Sequence, residues 1–321
     1  MKSANCAAGK QPRARSSLRR ALAATLAVLL LGLAYLFSNH FHLHQQLYQL
    51  SWTWFKGDRA PGRNIWLPDY HVTIDAKPVA PGLENLSGVT YDYDQDRLLA
   101  VTNKGPKQIL VLSKDGDILA QYPLEGFDDT EGLAYLGNGR IAVADESLQQ
   151  LDIITLPEQP RTIAVEEAQF IALLINPTHS NKGFEGVTYD AANDRLFAIK
   201  ERDPRQLFEV TGVMRSIDQG KLQIKVIDRQ DWIDNSVYAR DLSDGYYDPR
   251  TGHLLILSDQ SRSITELDAS GKFVSVRSLV GALSDLQHSA PQPEGMTMDR
   301  DGNLYVVSEP NLFYKFTRQP R

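Results

Sequence analysis

Five times in this 321-residue chain a polar or acidic residue stands directly before a glycine that opens a short apolar run: Ser87, Glu131, Glu185, Asp244 and Glu294. A second polar residue closes each returning run, at Asn103, Glu146, Glu201, Asp259 and Glu309. Eight of these ten are carboxylates, and none is a thiol or an imidazole. An all-oxygen set of this kind suits a hard cation such as Ca²⁺, which takes about six to eight oxygens in flexible geometry. The ten residues are therefore candidate metal ligands. Those before the glycines are the stronger candidates, because they begin the innermost strand of each repeat.

Without a counterion, such a set is costly. Two like charges about 4 Å apart repel by roughly 4 kcal/mol at an effective dielectric near 20. A bound cation, pairing with Lys104, Lys200, Arg202 or Arg240, or protonation of some carboxyls would each relieve this. The plainer alternative is structural: each acid caps backbone N–H groups at its own hairpin end, and the glycine is there because neighbouring strands crowd. His179 and His288 each lie six residues before an acid, Glu185 and Glu294. They are candidate catalytic bases, which beside a metal would make a hydrolase, or else exposed loop residues. Tyr238 and Arg240 precede Asp244 in the same way. No Gly-x-Ser-x-Gly elbow, P-loop or His-Glu-x-x-His is present.

The elements that must position these residues come from a repeat. "LSGVTYDYDQDRLLAVTN", "TEGLAYLGNGRIAVADE", "FEGVTYDAANDRLFAIKE", "SDGYYDPRTGHLLILSD" and "PEGMTMDRDGNLYVVSE" align on glycines 44 to 59 residues apart. Further β-rich runs follow each, as in "QILVLSKDGDILAQYPL" and "SITELDASGKFVSVRSL", turning on Asp-Gly and Ser-Gly. Four strands per repeat predict an all-β, five-bladed β-propeller; "VEEAQFIALLI", Val165 to Ile175, is read as an outer strand. The fifth repeat lacks its fourth strand, and "YHVTIDAKPV", Tyr70 to Val79, is the strand that would close the ring. A sixth, degenerate blade in the long spacings is the competing count. The first strand of a blade starts where the second ends, so all ten candidates are expected around one axial mouth.

Composition is that of a globular domain, 42% hydrophobic and 23% charged. The single Cys6 excludes a disulfide framework and a Cys-rich zinc site. Six basic residues and no acid occupy positions 1–20, leaving 28 basic against 40 acidic residues beyond them. So acidic a body argues against a nucleic-acid partner. "ALAATLAVLLLGLAYLF", Ala21 to Phe37, is long and apolar enough to cross a bilayer. The expected order is a basic cytoplasmic tail (1–20), a transmembrane signal anchor (21–38), a juxtamembrane helix and linker (39–68) and the propeller (69–321). This makes a single-pass protein of the bacterial inner membrane with its propeller in the periplasm; a cleaved signal is the alternative. His40, His42 and His44 alternate without a nearby carboxylate and are not read as metal ligands. The aromatic run "SWTWF" suits the bilayer interface or a plain stalk helix.

With "LSGVTYD", "DTEGLAYLGNGRIAVADE", "NKGFEGVTYD", "LSDGYYDPRTGHLLILSDQ" and "PEGMTMDRDGNLYVVSEPNLFYKF", the chain resembles the SdiA-regulated (YjiK-like) family of bacterial envelope proteins. The resemblance spans roughly 69 to 316 and implies a five-bladed propeller in the envelope, with no established reaction. A looser likeness to calcium-dependent propeller hydrolases (lactonase, gluconolactonase and phytase groups) rests on acids at inner-strand tips alone, and carries no catalytic residue over. The leading expectation is a cation-holding mouth that binds a small ligand or an envelope partner. The others are a metal-dependent lactonase, esterase or phosphoesterase, and a scaffold with no metal.

Overall fold

Short runs of Val, Ile, Leu, Tyr and Phe broken by Gly-, Asn- and Asp-containing turns make strands that bury both faces, because each sheet is packed between two others. In the computed structural model, residues 13–40, 43–57, 59–60, 62–173 and 183–318 are described. They form two compact units, 1–47 and 48–321. In the first lies α1 (Arg13–His40), whose window Arg19–Leu36 is apolar and long enough to span a membrane; a signal sequence would pass the same test. Helix α2 (Leu43–Lys56) runs from the first unit into the second.

The second unit is a ring of five antiparallel sheets. Strand β1 (Tyr70–Pro78) comes first in the chain. Blade one is β2 (Leu86–Asp92), β3 (Arg97–Thr102), β4 (Gln108–Leu112) and β5 (Ile118–Glu125). Blade two is β6 (Thr130–Gly137), β7 (Arg140–Asp145), β8 (Gln150–Thr155) and, outermost, β10 (Gln169–Ala172), while β9 (Ile163–Ala164) crosses to extend blade one beside β5. Blade three is β11 (Phe184–Asp190), β12 (Arg195–Lys200), β13 (Gln206–Thr211) and β14 (Lys225–Asp228). Blade four is β15 (Asp244–Asp248), β16 (His253–Ser258), β17 (Ser263–Leu267) and β18 (Phe273–Ser278). Blade five is β19 (Pro293–Met298), β20 (Leu304–Ser308) and β21 (Leu312–Arg318), completed by β1 paired antiparallel with β21 from Tyr70↔Arg318 to Pro78↔Leu312. The N-terminal strand thus closes the ring as expected, and two sheet edges disappear together.

The six-blade alternative fails for a specific reason. Between Gly186 and Gly245 the extra length is two short helices, α3 (Val213–Gln219), which ends on Gly220 in the left-handed region, and α4 (Gln230–Ser236). Two-turn helices are too short to leave a readable period in the sequence. Of the described part of Val165 to Ile175, residues 165–173, Gln169–Ala172 is strand and Val165–Glu167 is a single 3₁₀ turn.

Five hydrophobic cores fill the ring, one between each pair of neighbouring blades. The last residues of the expected juxtamembrane helix and linker (39–68) are part of this packing. Ile65 and Leu67 are fully buried, and Glu266 holds the segment by accepting the N–H groups of Ile65 (2.8 Å) and Trp66 (3.0 Å). Glu266 is in turn bonded to Ser275 (2.5 Å) and His253 (2.8 Å), so a buried carboxylate in blade four is satisfied from four sides.

Candidate functional site

The inner strands approach one another so closely that their glycines admit no side chain. A Cβ on Gly132 would lie 2.4 Å from the Glu185 carbonyl oxygen, one on Gly186 2.5 Å from Asp244 Cα, and one on Gly295 2.8 Å from Gly88 Cα. The structural account of the glycines is therefore correct, and it leaves the acids beside them to be explained separately.

Those acids are aimed by a β-bulge. In blade one Leu86 faces Thr102 and Gly88 faces Val101, so Ser87 is an extra residue with no partner of its own. The same offset makes Glu185 the extra residue in blade three and Glu294 in blade five. In blade two the irregularity falls between Thr130 and Leu133, around Glu131. The second set stands just past the paired ends of the second strands: the Glu146 N–H donates to the Asp129 carbonyl (2.9 Å), that of Glu309 to Gln292 (2.9 Å) and that of Asn103 to Asn85 (3.0 Å). Both sets meet at one end of the ring, as the repeat predicts.

Blade four departs from this pattern. It has no bulge: Asp244 faces Leu257 and Gly245 faces Ile256. Asp244 is buried and its Oδ2 accepts the Met296 N–H of blade five at 2.8 Å. Burial pushes its carboxyl well above the usual range, opposed by the backbone N–H groups of Met296, Gly245 and Val187. The Oδ2 bond ties neighbouring inner strands together rather than capping the hairpin end that carries Asp244, and the buried Oδ1 has no partner at hydrogen-bonding geometry among the described residues.

The remaining acids converge. Oxygens of Glu146, Glu185 and Glu201 lie within 4.8 Å of one another, and so do those of Asp129, Glu131 and Glu146. Burial first, then Asp129 and Glu146, push Glu131 up to about 8. Burial first pushes Glu146 up to about 7, with Asp129 and Glu201 adding to it and the Gly183 N–H (3.1 Å) opposing it. Asp259 is likewise pushed up to about 7, by burial and then by Asp241. Glu185 and Glu294 stand well above the ordinary carboxylate range, each by burial first and then by neighbouring acids, Glu131 and Asp259 respectively.

Little positive charge answers them. Arg202 pairs with Glu201 at 2.9 Å. Among the described residues no lysine or arginine is within ion-pair distance of Glu131, Glu146, Glu185, Asp259, Glu294 or Glu309. Lys200 is buried and donates to the carbonyls of Arg202 (2.6 Å) and Pro204 (2.9 Å), while Lys104 and Arg240 are exposed. Amides assist instead: Asn103 donates to Glu131, Asn85 to Glu309 (2.6 Å) and Gln292 to Glu294 (2.9 Å).

Asp129, Asn85 and Gln292 are the members that the repeat pattern passed over. All three lie two residues before the bulged position, so a polar residue at that offset was their signal. Of the two histidines, His179 lies outside the described residues, and His288 is exposed in the loop before β19, where Gln292 is the residue that reaches Glu294. Tyr238 packs its ring on Tyr48 of α2 at 4.8 Å.

The donor set fits a hard cation. Oxygens at roughly 2.3–2.6 Å from Ca²⁺ span up to about 5 Å across the ion, and both groups of three fall within that span. Carboxyls held protonated by burial and mutual repulsion are groups a divalent ion would ionise on binding.

Among solved structures the chain is similar to a streptogramin B lyase (12% identity, 78% of this chain and 98% of that one, TM-score 0.42). It is also similar to a luciferin-regenerating enzyme (14%, 78% and 81%, 0.46). A third is a gluconolactonase from Xanthomonas campestris (13%, 74% and 88%, 0.43). At these identities the likeness concerns the propeller alone. The SdiA-regulated family profile matches residues 62–317, nearly the whole propeller with its closing strand. The chain belongs to the SdiA-regulated family.

Proposed function

We propose that this protein holds a divalent cation, calcium by the chemistry of its donors, at the axial mouth of the propeller, and that the same face binds a ligand or an envelope partner. The observation that carries this reading is the cluster Asp129, Glu131, Glu146, Glu185 and Glu201, whose oxygens approach within 4.8 Å in two overlapping groups with one guanidinium, that of Arg202, beside them. Glu146 belongs to both groups and would be the central ligand. The cation would neutralise the cluster and offer a Lewis-acidic position to an oxygen-bearing ligand. The chain's own part is to fix the carboxylates: bulges aim Glu131 and Glu185, the Asn103 amide orients Glu131, and the Gly183 N–H orients Glu146. The apolar segment of α1 supports an anchor in the inner membrane with the propeller in the periplasm.

Binding is favoured over hydrolysis because no described side chain beside the acids is placed as a general base. The ester, lactone or phosphoester reading would need His288 to move from its exposed loop, or His179, which lies outside the described residues, to serve as the base. The test is thermal unfolding of the full chain in calcium and in chelator, with calorimetric titration of wild type and Glu146→Gln. Calcium should raise the wild-type melting temperature, and the substitution should remove most of that rise while leaving the chelated melt unchanged or higher, since one repelling charge is gone. Identical wild-type melts with and without calcium would sink the proposal and leave the scaffold reading.

A further inference from the structure

From Tyr48 onward α2 is fixed to blade four along one stripe. Trp52 packs on Phe273 at 5.0 Å, Thr53 Oγ1 accepts the Val276 N–H of the edge strand β18 at 3.1 Å, and Gln49 donates to the Tyr238 carbonyl. Gly57 then turns the chain where a Cβ would lie 2.4 Å from the Thr53 carbonyl oxygen. The opposite side of the helix is therefore presented outward by a rigid mount. It carries Trp54 and Phe55, 86% and 88% exposed, more than any other described aromatic residue of this unit, Phe170 at 65% being the next.

We infer that Trp54 and Phe55 form a membrane-interface foot, a site where the propeller rests on an anionic lipid surface independently of its binding site at the mouth. Two observations point to lipid. Lys56, exposed and next to Phe55 in the chain, holds its ammonium 4.9 Å from the Trp52 ring centroid; the exposed Arg59, paired with Asp69, and Arg63 follow in the same segment, and no acid occurs in the chain before Asp58. A basic, aromatic segment on an acidic body matches headgroups that are anionic above an apolar layer. In addition, α2 starts close after the apolar window that ends at Leu36, so a bilayer holding that window has α2 within reach. Beside Trp54 lies an open groove of about 240 Å³ of mixed character, with Leu50, Pro68 and Leu283 on its apolar part and His71, Arg277 and Asp285 on its polar part.

The test uses the full chain in vesicles containing phosphatidylglycerol and a phosphatidylcholine brominated either near the headgroup end or near the tail end of its chains. Tryptophan emission should be quenched most by the bromines near the headgroup, and Trp54→Tyr should remove most of that quenching, since Trp66 and Trp232 are buried and Trp52 is packed on the propeller. Phe55→Ser/Lys56→Glu should weaken the quenching of Trp54 with an unchanged circular dichroism spectrum. Quenching that survives in Trp54→Tyr, or that is absent for every bromine position, would overturn the inference. So would protection of Trp54 from aqueous quenchers in detergent that grows with protein concentration, which would assign the patch to a second copy of the chain.

Discussion

The two ends of the inner strands carry acids for different reasons. At the turn end, Asp92, Asp190, Asp248 and Asp299 are buried and fully engaged. Asp92 accepts the N–H groups of Asp94 (3.0 Å) and Gln95 (3.1 Å) and pairs with Arg97 (2.9 Å); Asp190 holds Arg195 (2.8 Å) and Asn193 (2.7 Å). Asp248 holds Arg250 (3.0 Å) and Thr251 (2.8 Å), and Asp299 takes the Asn303 N–H and the Tyr305 hydroxyl, both at 2.8 Å. At the mouth end the acids face one another, and among the described residues one arginine, Arg202, is in ion-pair contact with them. Both sets recur from blade to blade, so recurrence alone identifies neither. What separates them is the company they keep: the turn-end carboxylates are held by several donors of their own hairpins, whereas the mouth acids have single amides, one N–H and the Arg202 guanidinium and also lie against one another.

The largest effect expected from this contrast is at the turn end. Asp190→Ala should cost about 3 kcal/mol in urea unfolding, because it removes the shorter carboxylate contact of Arg195, leaving Glu209 at 3.6 Å, and the acceptor of the Asn193 amide, and calcium should not restore the loss. A calcium-dependent loss would mean that the two ends are not distinct. Asp244→Ala comes next. It should cost about 2 kcal/mol, from the unsatisfied Met296 N–H, while the calcium affinity measured by calorimetry stays at the wild-type value. A marked drop in affinity would return Asp244 to the cation's ligands.

The third effect is a dependence on pH, read as a shift of the chelated melt. In the folded protein Glu131 is held at about 8 against an ordinary 4.5, so its contribution to stability is present in full below about pH 4.5 and is lost as pH rises through 8. In chelator the melting temperature should therefore fall between pH 5 and 8, less so in Glu131→Gln, and calcium should flatten the fall because it takes the place of the proton. A chelated melt that holds level across this window, in wild type as in the variant, would remove the electrostatic basis of the site.

Much of this was legible from residues alone. Glycines one blade apart marked the repeat, the missing last strand pointed to Tyr70–Val79, and the polar residue before each glycine, an acid in four of the five, pointed to the mouth. The unlike role of Asp244 was not legible. "SDGYY" and "FEGVT" have the same form, and whether the residue before glycine bulges out or stays in the ladder depends on pairing with the second strand. The burial of Ile65 and Leu67 was equally hidden, since their anchor, Glu266, lies some 200 positions away. For α2 the aromatic content was plain in "SWTWF", but which ring packs on Phe273 and which faces outward followed from the helix's seat on β18.

By itself the sequence determined the number of blades, their closure and the end of the ring to which acids are delivered, because strand period, turn residues and repeat length are local and recur five times. Only the tertiary structure decided which acids are answered by donors and which confront one another. Hydrogen-bond satisfaction and electrostatic coupling depend on distances between blades, and no one repeat encodes those distances.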